Sequence, residues 1–136
     1  MLGDLDGKAI DAFVEAVGPD SGTPLVSAEL RHLGGALRRT APDHGALETF
    51  DASFLSFGIG IVMSEADHRP SRDGIDRLAA ALAPYDTGRQ YLNFTEQATD
   101  PATFYKPEVY RRLRETRAAY DPAGLFRANH SIPAAR

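Results

Sequence analysis

The stretch "SFLSFGIGIVM", residues 53–63, decides how this chain folds. Apolar and small residues alternate through it, which is the period of two that marks a strand. Leu55, Phe57, Ile59 and Ile61 fall on one side and read as a core face. Phe54, Ser56, Gly58, Gly60 and Val62 fall on the other. Glycine weakens a strand, so two of them on one face need a reason. Something must approach the backbone closely there. Either a helix lies on that face, or the face is one wall of a ligand site.

The flanking segments supply helices and a second strand. From Gly7 to Val17, Ile10, Phe13, Val14 and Val17 recur at helical spacing, with Asp6 placed to cap the start and "GPDSG" to stop it. "TPLVSAELRHL" alternates again, with Val26, Ala28 and Leu30 against Ser27, Glu29 and Arg31. "ALRRTAPDHGALETFDA" reads as irregular, turning near Pro42 to Gly45, and "SEADHRPSRDG" as a polar loop. "DGIDRLAAALAPY" is a second amphipathic helix carrying Ile75, Leu78, Ala79 and Leu82. "GRQYLNFTEQATD" reads as a third short strand, with Tyr91 and Asn93 sharing a face opposite Leu92 and Phe94. A third helix spans about Pro107 to Tyr120, its stripe Val109, Leu113, Thr116 and Tyr120. In the coil-rich tail, Leu125, Phe126 and Ile132 need an apolar surface to dock on. The expected class is α+β: an antiparallel sheet covered on one face by helices, then a C-terminal helix and an extended tail.

Composition narrows the chemistry. A length of 136 residues suits one domain with a modest core. A net charge of −4 gives no basic face for nucleic acid. No apolar run approaches the roughly 18 residues of a membrane span, and no leader precedes the first helix, so a cytoplasmic location is expected. The chain enters that helix almost at once, as though it began inside something larger. Without cysteine there is no disulfide or thiol chemistry. His32, His44, His68 and His130 show no local metal-binding spacing, so no metal site is expected.

Two residue groups offer chemistry. Glu29 and Arg31 share a strand face; they are a surface pair, or Glu29 is a base and Arg31 an anion holder in a cleft. Tyr91 and Asn93 offer a phenol and an amide able to fix a flat polar heterocycle, or they are ordinary sheet packing. "FGIGIV" lies inside a strand, so its glycines are not a phosphate-cradling turn.

The last third carries an ordered series of motifs. Tyr91 and Asn93 come first, then Tyr105 and Tyr110, Arg112 and Leu113, and Tyr120-Asp121-Pro122. Phe126, Asn129 and Ser131-Ile132-Pro133 close it. This series resembles the C-terminal region of the berberine bridge enzyme-like FAD-linked oxidases. "ELRHLGGAL" and "GALETFDASFLSFGIGIV" are similar to two strands of that family's substrate domain. The resemblance implies residues 1–87 as part of a substrate-binding domain and 88–136 as the family's C-terminal segment. The FAD-binding domain is then absent, to be supplied by a longer chain or a separate one. It implies FAD as cofactor, a small-molecule substrate, and hydride transfer from an alcohol, amine or activated C–H to flavin. Tyr91 and Asn93 take the family's cofactor-side positions. Phe94, Glu29 and Arg31 are the candidate substrate contacts. Several members have Tyr, the catalytic base, where this chain has Phe94. The base is therefore unassigned, with Glu29 the candidate. An aromatic-x-His-Arg pattern found in many members before Asp51-Ala52 is also missing. The competing expectation is a non-enzymatic α+β module that binds a small ligand or forms a homodimer through exposed sheet edges.

Overall fold

The structure, a computed structural model, describes residues 1–135. Two compact units make up these residues. One comprises residues 1–37 and 51–87; the other comprises 38–50 and 88–135.

The first unit is a two-stranded antiparallel sheet with two helices. Helix α1, Gly7–Val17, starts where the Asp6 carboxylate accepts a hydrogen bond from the Ala9 amide at 2.9 Å. That bond satisfies one of the donors left over in a first helical turn. The inward face differs from the expected stripe. Ala9 and Ala16 are buried, whereas Ile10 and Val14 are exposed. The small side chains let α1 approach the second helix closely, with Phe13 and Val17 packed on the core beside them.

Strand β1, Leu25–His32, pairs with β2, Phe54–Gly60, with Glu29 opposite Phe57 and Arg31 opposite Leu55. The register shifts between Leu25 and Ser27, so Val26 is an extra residue in β1. A bulge turns its side chain away from the face that simple alternation assigns it. Val26 is accordingly 60% exposed, and Leu25 joins Ala28 and Leu30 on the core in its place.

Helix α2, Glu65–Leu82, begins eight residues before the sequence pattern suggests, inside the expected polar loop. The Asp67 carboxylate accepts from the Ser64 amide and hydroxyl at 2.8 and 2.9 Å and from the Met63 amide at 3.0 Å. These bonds anchor the first turn strongly enough that Pro70, which lacks an N–H, sits within the helix.

Helix α2 explains the two strand glycines. A Cβ on Gly58 meets Ile75, Leu25 and Leu78 at 2.9, 3.2 and 3.2 Å, and one on Gly60 meets Ser71 at 2.7 Å. Ser71, Gly74, Ile75 and Leu78 are spaced as one helical stripe, and it lies along the sheet. The glycine face is thus the helix-covered face. The other side, expected as the core face, is only partly covered. Leu55 is buried, but Ile59 is 41% and Ile61 54% exposed. The core of the unit is Leu2, Leu78 and Leu82, packed with Leu5, Phe13, Phe54 and Tyr85.

The second unit is built on helix α3, Pro107–Tyr120, with Pro107 in its first turn. Its inward face also departs from the expected stripe, since Thr116 and Tyr120 are exposed. Arg114 and Arg117 face inward instead. Arg114 donates to the carbonyls of Pro133 and Ala134, and Arg117 to the Ser131 hydroxyl, so the tail runs back along the helix. Asp121, 7% exposed, ion-pairs with Arg117 at 3.3 Å and accepts from the amides of Leu125 and Phe126. Ile132 is half-buried, but Leu125 and Phe126, expected to dock, remain 80% and 73% exposed.

Candidate functional site

The segment around Tyr91 is not a strand. Leu92–Phe94 forms a single 3₁₀ turn, closed by the Phe94 amide on the Tyr91 carbonyl at 3.1 Å and by the Thr95 hydroxyl on the same carbonyl at 2.9 Å. The preceding Gly88 has φ of 71°, a left-handed conformation that bends the chain into this turn. In a 3₁₀ turn, residues three apart stack above one another. Tyr91 and Phe94 therefore lie on the same side, reversing the expected assignment. Their rings meet edge-to-face at 5.0 Å, and the Phe50 ring meets Tyr91 at 5.4 Å. Asn93 still reaches Tyr91, its amide donating to the phenol oxygen at 3.2 Å.

This arrangement offers an aromatic edge, a phenol and an amide together. Asn93 and Phe94 are exposed and Tyr91 is half-buried. The group fits contact with a flat heterocycle on one side; it does not enclose one.

Just beyond it, His130 holds the tail. Its Nε2 lies 2.8 Å from the Thr95 carbonyl, which makes Nε2 the donor and leaves Nδ1 bare. The ring packs edge-on against buried Phe104 at 4.9 Å, and Nδ1 is buried without a hydrogen-bond partner. Burial pushes the nearby Tyr105 phenol above its ordinary value. The His130–Thr95 contact was not signalled by sequence spacing, because it joins residues 35 apart that only the fold brings together, whereas the Arg117–Asp121 pair has the i,i+4 spacing of a helical ion pair and was legible but went unremarked.

In the first unit, Glu29 and Arg31 do come together. The Arg31 guanidinium donates to the Glu29 carboxylate at 2.7 Å and sits 5.6 Å from the Phe57 ring centre. The pair lies on the face of the sheet opposite α2. The hydrogen bond from Arg31 holds the Glu29 carboxyl below its ordinary range, which favours the ionised form and makes it a weaker base. Among the described residues no cluster of three or more His, Asp or Glu side chains is placed to hold a metal, and no helix is long and apolar enough to cross a membrane.

Comparison with known proteins bears on both units. Residues 90–133 match the family model "Berberine and berberine like". The chain is 34% identical over 106 residues to the uncharacterized FAD-linked oxidoreductase YgaK of Bacillus subtilis (strain 168), and 28% identical over 104 residues to the similarly named YvdP of the same organism. Each alignment takes in 76% of this chain but 23% of the relative, so the chain spans about a quarter of the length of these curated proteins. The motif series of the last third lies inside the matched segment, so residues 90–133 carry the pattern of the berberine-like family, and the chain is similar over about three quarters of its length to one part of two FAD-linked oxidoreductases.

Proposed function

We propose that this chain is the C-terminal part of an FAD-dependent oxidoreductase that removes a hydride from an alcohol, amine or activated C–H group. The observation that carries the reading is the family match over residues 90–133, which contains half-buried Tyr91 and the Leu92–Phe94 turn with Asn93 and Phe94 exposed. FAD, when bound, supplies the hydride acceptor; the protein's part is to position cofactor and substrate. In this reading Tyr91 and Asn93 would help hold FAD, Tyr91 through its ring and phenol and Asn93 through its amide. Phe94 has no exchangeable proton and contributes packing to the substrate side. Glu29, committed to Arg31, orients that guanidinium rather than taking a proton.

The turn exposes one side of a site and no enclosure around it, so the chain on its own is expected to hold flavin weakly. Purified alone, it should be colourless and without oxidase activity. Titration with FAD should quench tyrosine fluorescence weakly, and Tyr91→Ala and Asn93→Ala should each reduce that response. A preparation that emerges yellow, flavin-loaded and active overturns the reading of this chain as a part. A fluorescence response unchanged by both substitutions overturns the assigned contact.

A further inference from the structure

The turn at Leu92–Phe94 is held from outside at both of its ends. At the entry, the Gln90 amide donates to the Thr103 carbonyl at 3.4 Å, and the Arg89 guanidinium donates to the Tyr105 carbonyl. At the exit stands Thr95. Its hydroxyl donates to the Tyr91 carbonyl at 2.9 Å and its amide to the Leu92 carbonyl at 3.4 Å, while its own carbonyl accepts from His130 Nε2 at 2.8 Å. The two anchors share a support. The His130 ring packs at 4.9 Å on buried Phe104, which belongs to the Pro101–Phe104 turn that also receives Gln90. With Nε2 the donor, the ring has no second proton to give, and buried Nδ1 faces no hydrogen-bond partner. Leaving a buried acceptor unpaired is unfavourable. A phenyl ring would pack on Phe104 without that penalty, so the donor to Thr95 is what the histidine adds.

We propose that His130 is a positioning residue for the cofactor side of the site: through the Thr95 carbonyl it fixes the backbone that presents Tyr91 and Asn93 to FAD. The proposal rests on the flavin reading above. The chain of bonds is short. His130 holds Thr95, and Thr95 holds the Tyr91 carbonyl. The Asn93 amide in turn rests on the Tyr91 phenol at 3.2 Å. A single 3₁₀ turn has poor hydrogen-bond geometry of its own, so it depends on such outside support. Releasing Thr95 loosens the end of the turn, and the two polar groups lose their common orientation. Binding to groups that must first be ordered is weaker by the free energy of ordering them. The loss therefore falls on flavin affinity rather than on the fold of the unit. His130 makes no contact with flavin in this proposal; it acts through Thr95.

Wild type, His130→Gln, His130→Asn and His130→Phe test it. A glutamine amide reaches about as far as Nε2, an asparagine amide only as far as Nδ1, and phenylalanine keeps the packing on Phe104 without a donor. Amide hydrogen exchange followed by NMR, without flavin, should quicken at Phe94 and Thr95 in the Asn and Phe variants and stay close to wild type in the Gln variant. Exchange along α3 should be the same in every chain. Titration with FAD, followed at the Asn93 side-chain amide, should give an apparent affinity about threefold or more weaker in the Asn and Phe variants, on the scale of one net hydrogen bond, and restored in the Gln variant. Exchange at Phe94 and Thr95 that ignores the substitutions overturns the proposal. So does exchange that quickens throughout α3 in the Asn variant, which marks general loosening, and so does a Gln variant that behaves like the Asn one. An FAD response equal in every chain overturns the positioning role and leaves the flavin reading intact. No FAD response in any chain overturns the flavin reading, and the cofactor role of His130 with it.

Discussion

Asp67 and Asp121 show how much a single carboxylate does here. Asp67 gathers the Ser64 hydroxyl, the Ser64 amide and the Met63 amide, and these bonds, the hydroxyl foremost, hold its pKa below the ordinary 3.8. A carboxyl whose folded pKa is depressed stabilises the fold fully above its unfolded value and loses that effect as pH falls through the folded one. The start of α2 should therefore be intact at neutral pH and fray below about pH 3.8. Amide exchange at Asp67 and Ser64 followed by NMR against pH reads this directly, and Asp67→Asn should show the faster exchange already at pH 7. Asp121 is buried, and removing it takes the carboxylate from the Arg117 guanidinium, which keeps only the Ser131 hydroxyl among these contacts, and leaves the Leu125 and Phe126 amides without their acceptor. Truncating one member of a buried ion pair costs about 3–5 kcal/mol, so Asp121→Ala should lower the stability of the second unit by roughly that amount in urea denaturation. Phe94 marks a chemical boundary at the same scale. Its ring packs on Tyr91, but it offers no proton to a reaction.

Among the elements, the contact of α2 with β2 is the most demanding. The helix lies so close that a methyl group on Gly58 already crowds Ile75 at 2.9 Å. Gly58→Val should cost about 1–3 kcal/mol through overpacking, with a lower midpoint in thermal unfolding followed by circular dichroism. An unchanged midpoint there indicates that α2 can move away from the sheet. The bulge at Val26 shows the same dependence on context. One extra residue exchanges Val26 for Leu25 at the core and leaves Glu29 and Arg31 on the face opposite α2. The turn at Leu92–Phe94 is a third case. A sequence that alternates like a strand becomes a 3₁₀ turn because the Tyr91 carbonyl is taken by Phe94 and Thr95 rather than by a neighbouring strand.

At the scale of the whole molecule, the chain spans about a quarter of its curated relatives, and its reading as part of a flavoenzyme stands or falls with the flavin experiment described above. The sequence by itself determined the element types wherever local periodicity or capping was strong. Helices α1 and α3, both long strands and the glycine face were legible in it, because helix and strand periods and Asp6 as a cap are local properties. The ordered motifs of the last third carried the family. Only the tertiary structure decided which face is covered and what each side chain meets. Residues such as Ile10, Val14 and Val26 are as apolar as their buried neighbours, so composition cannot tell them apart. Their placement depends on how closely two backbones approach, which small residues such as Ala9, Ala16, Gly58 and Gly74 permit. Likewise Glu29 and Arg31 were visible as a pair, but that they stand on the face opposite α2 was decided only by the pairing of β1 with β2.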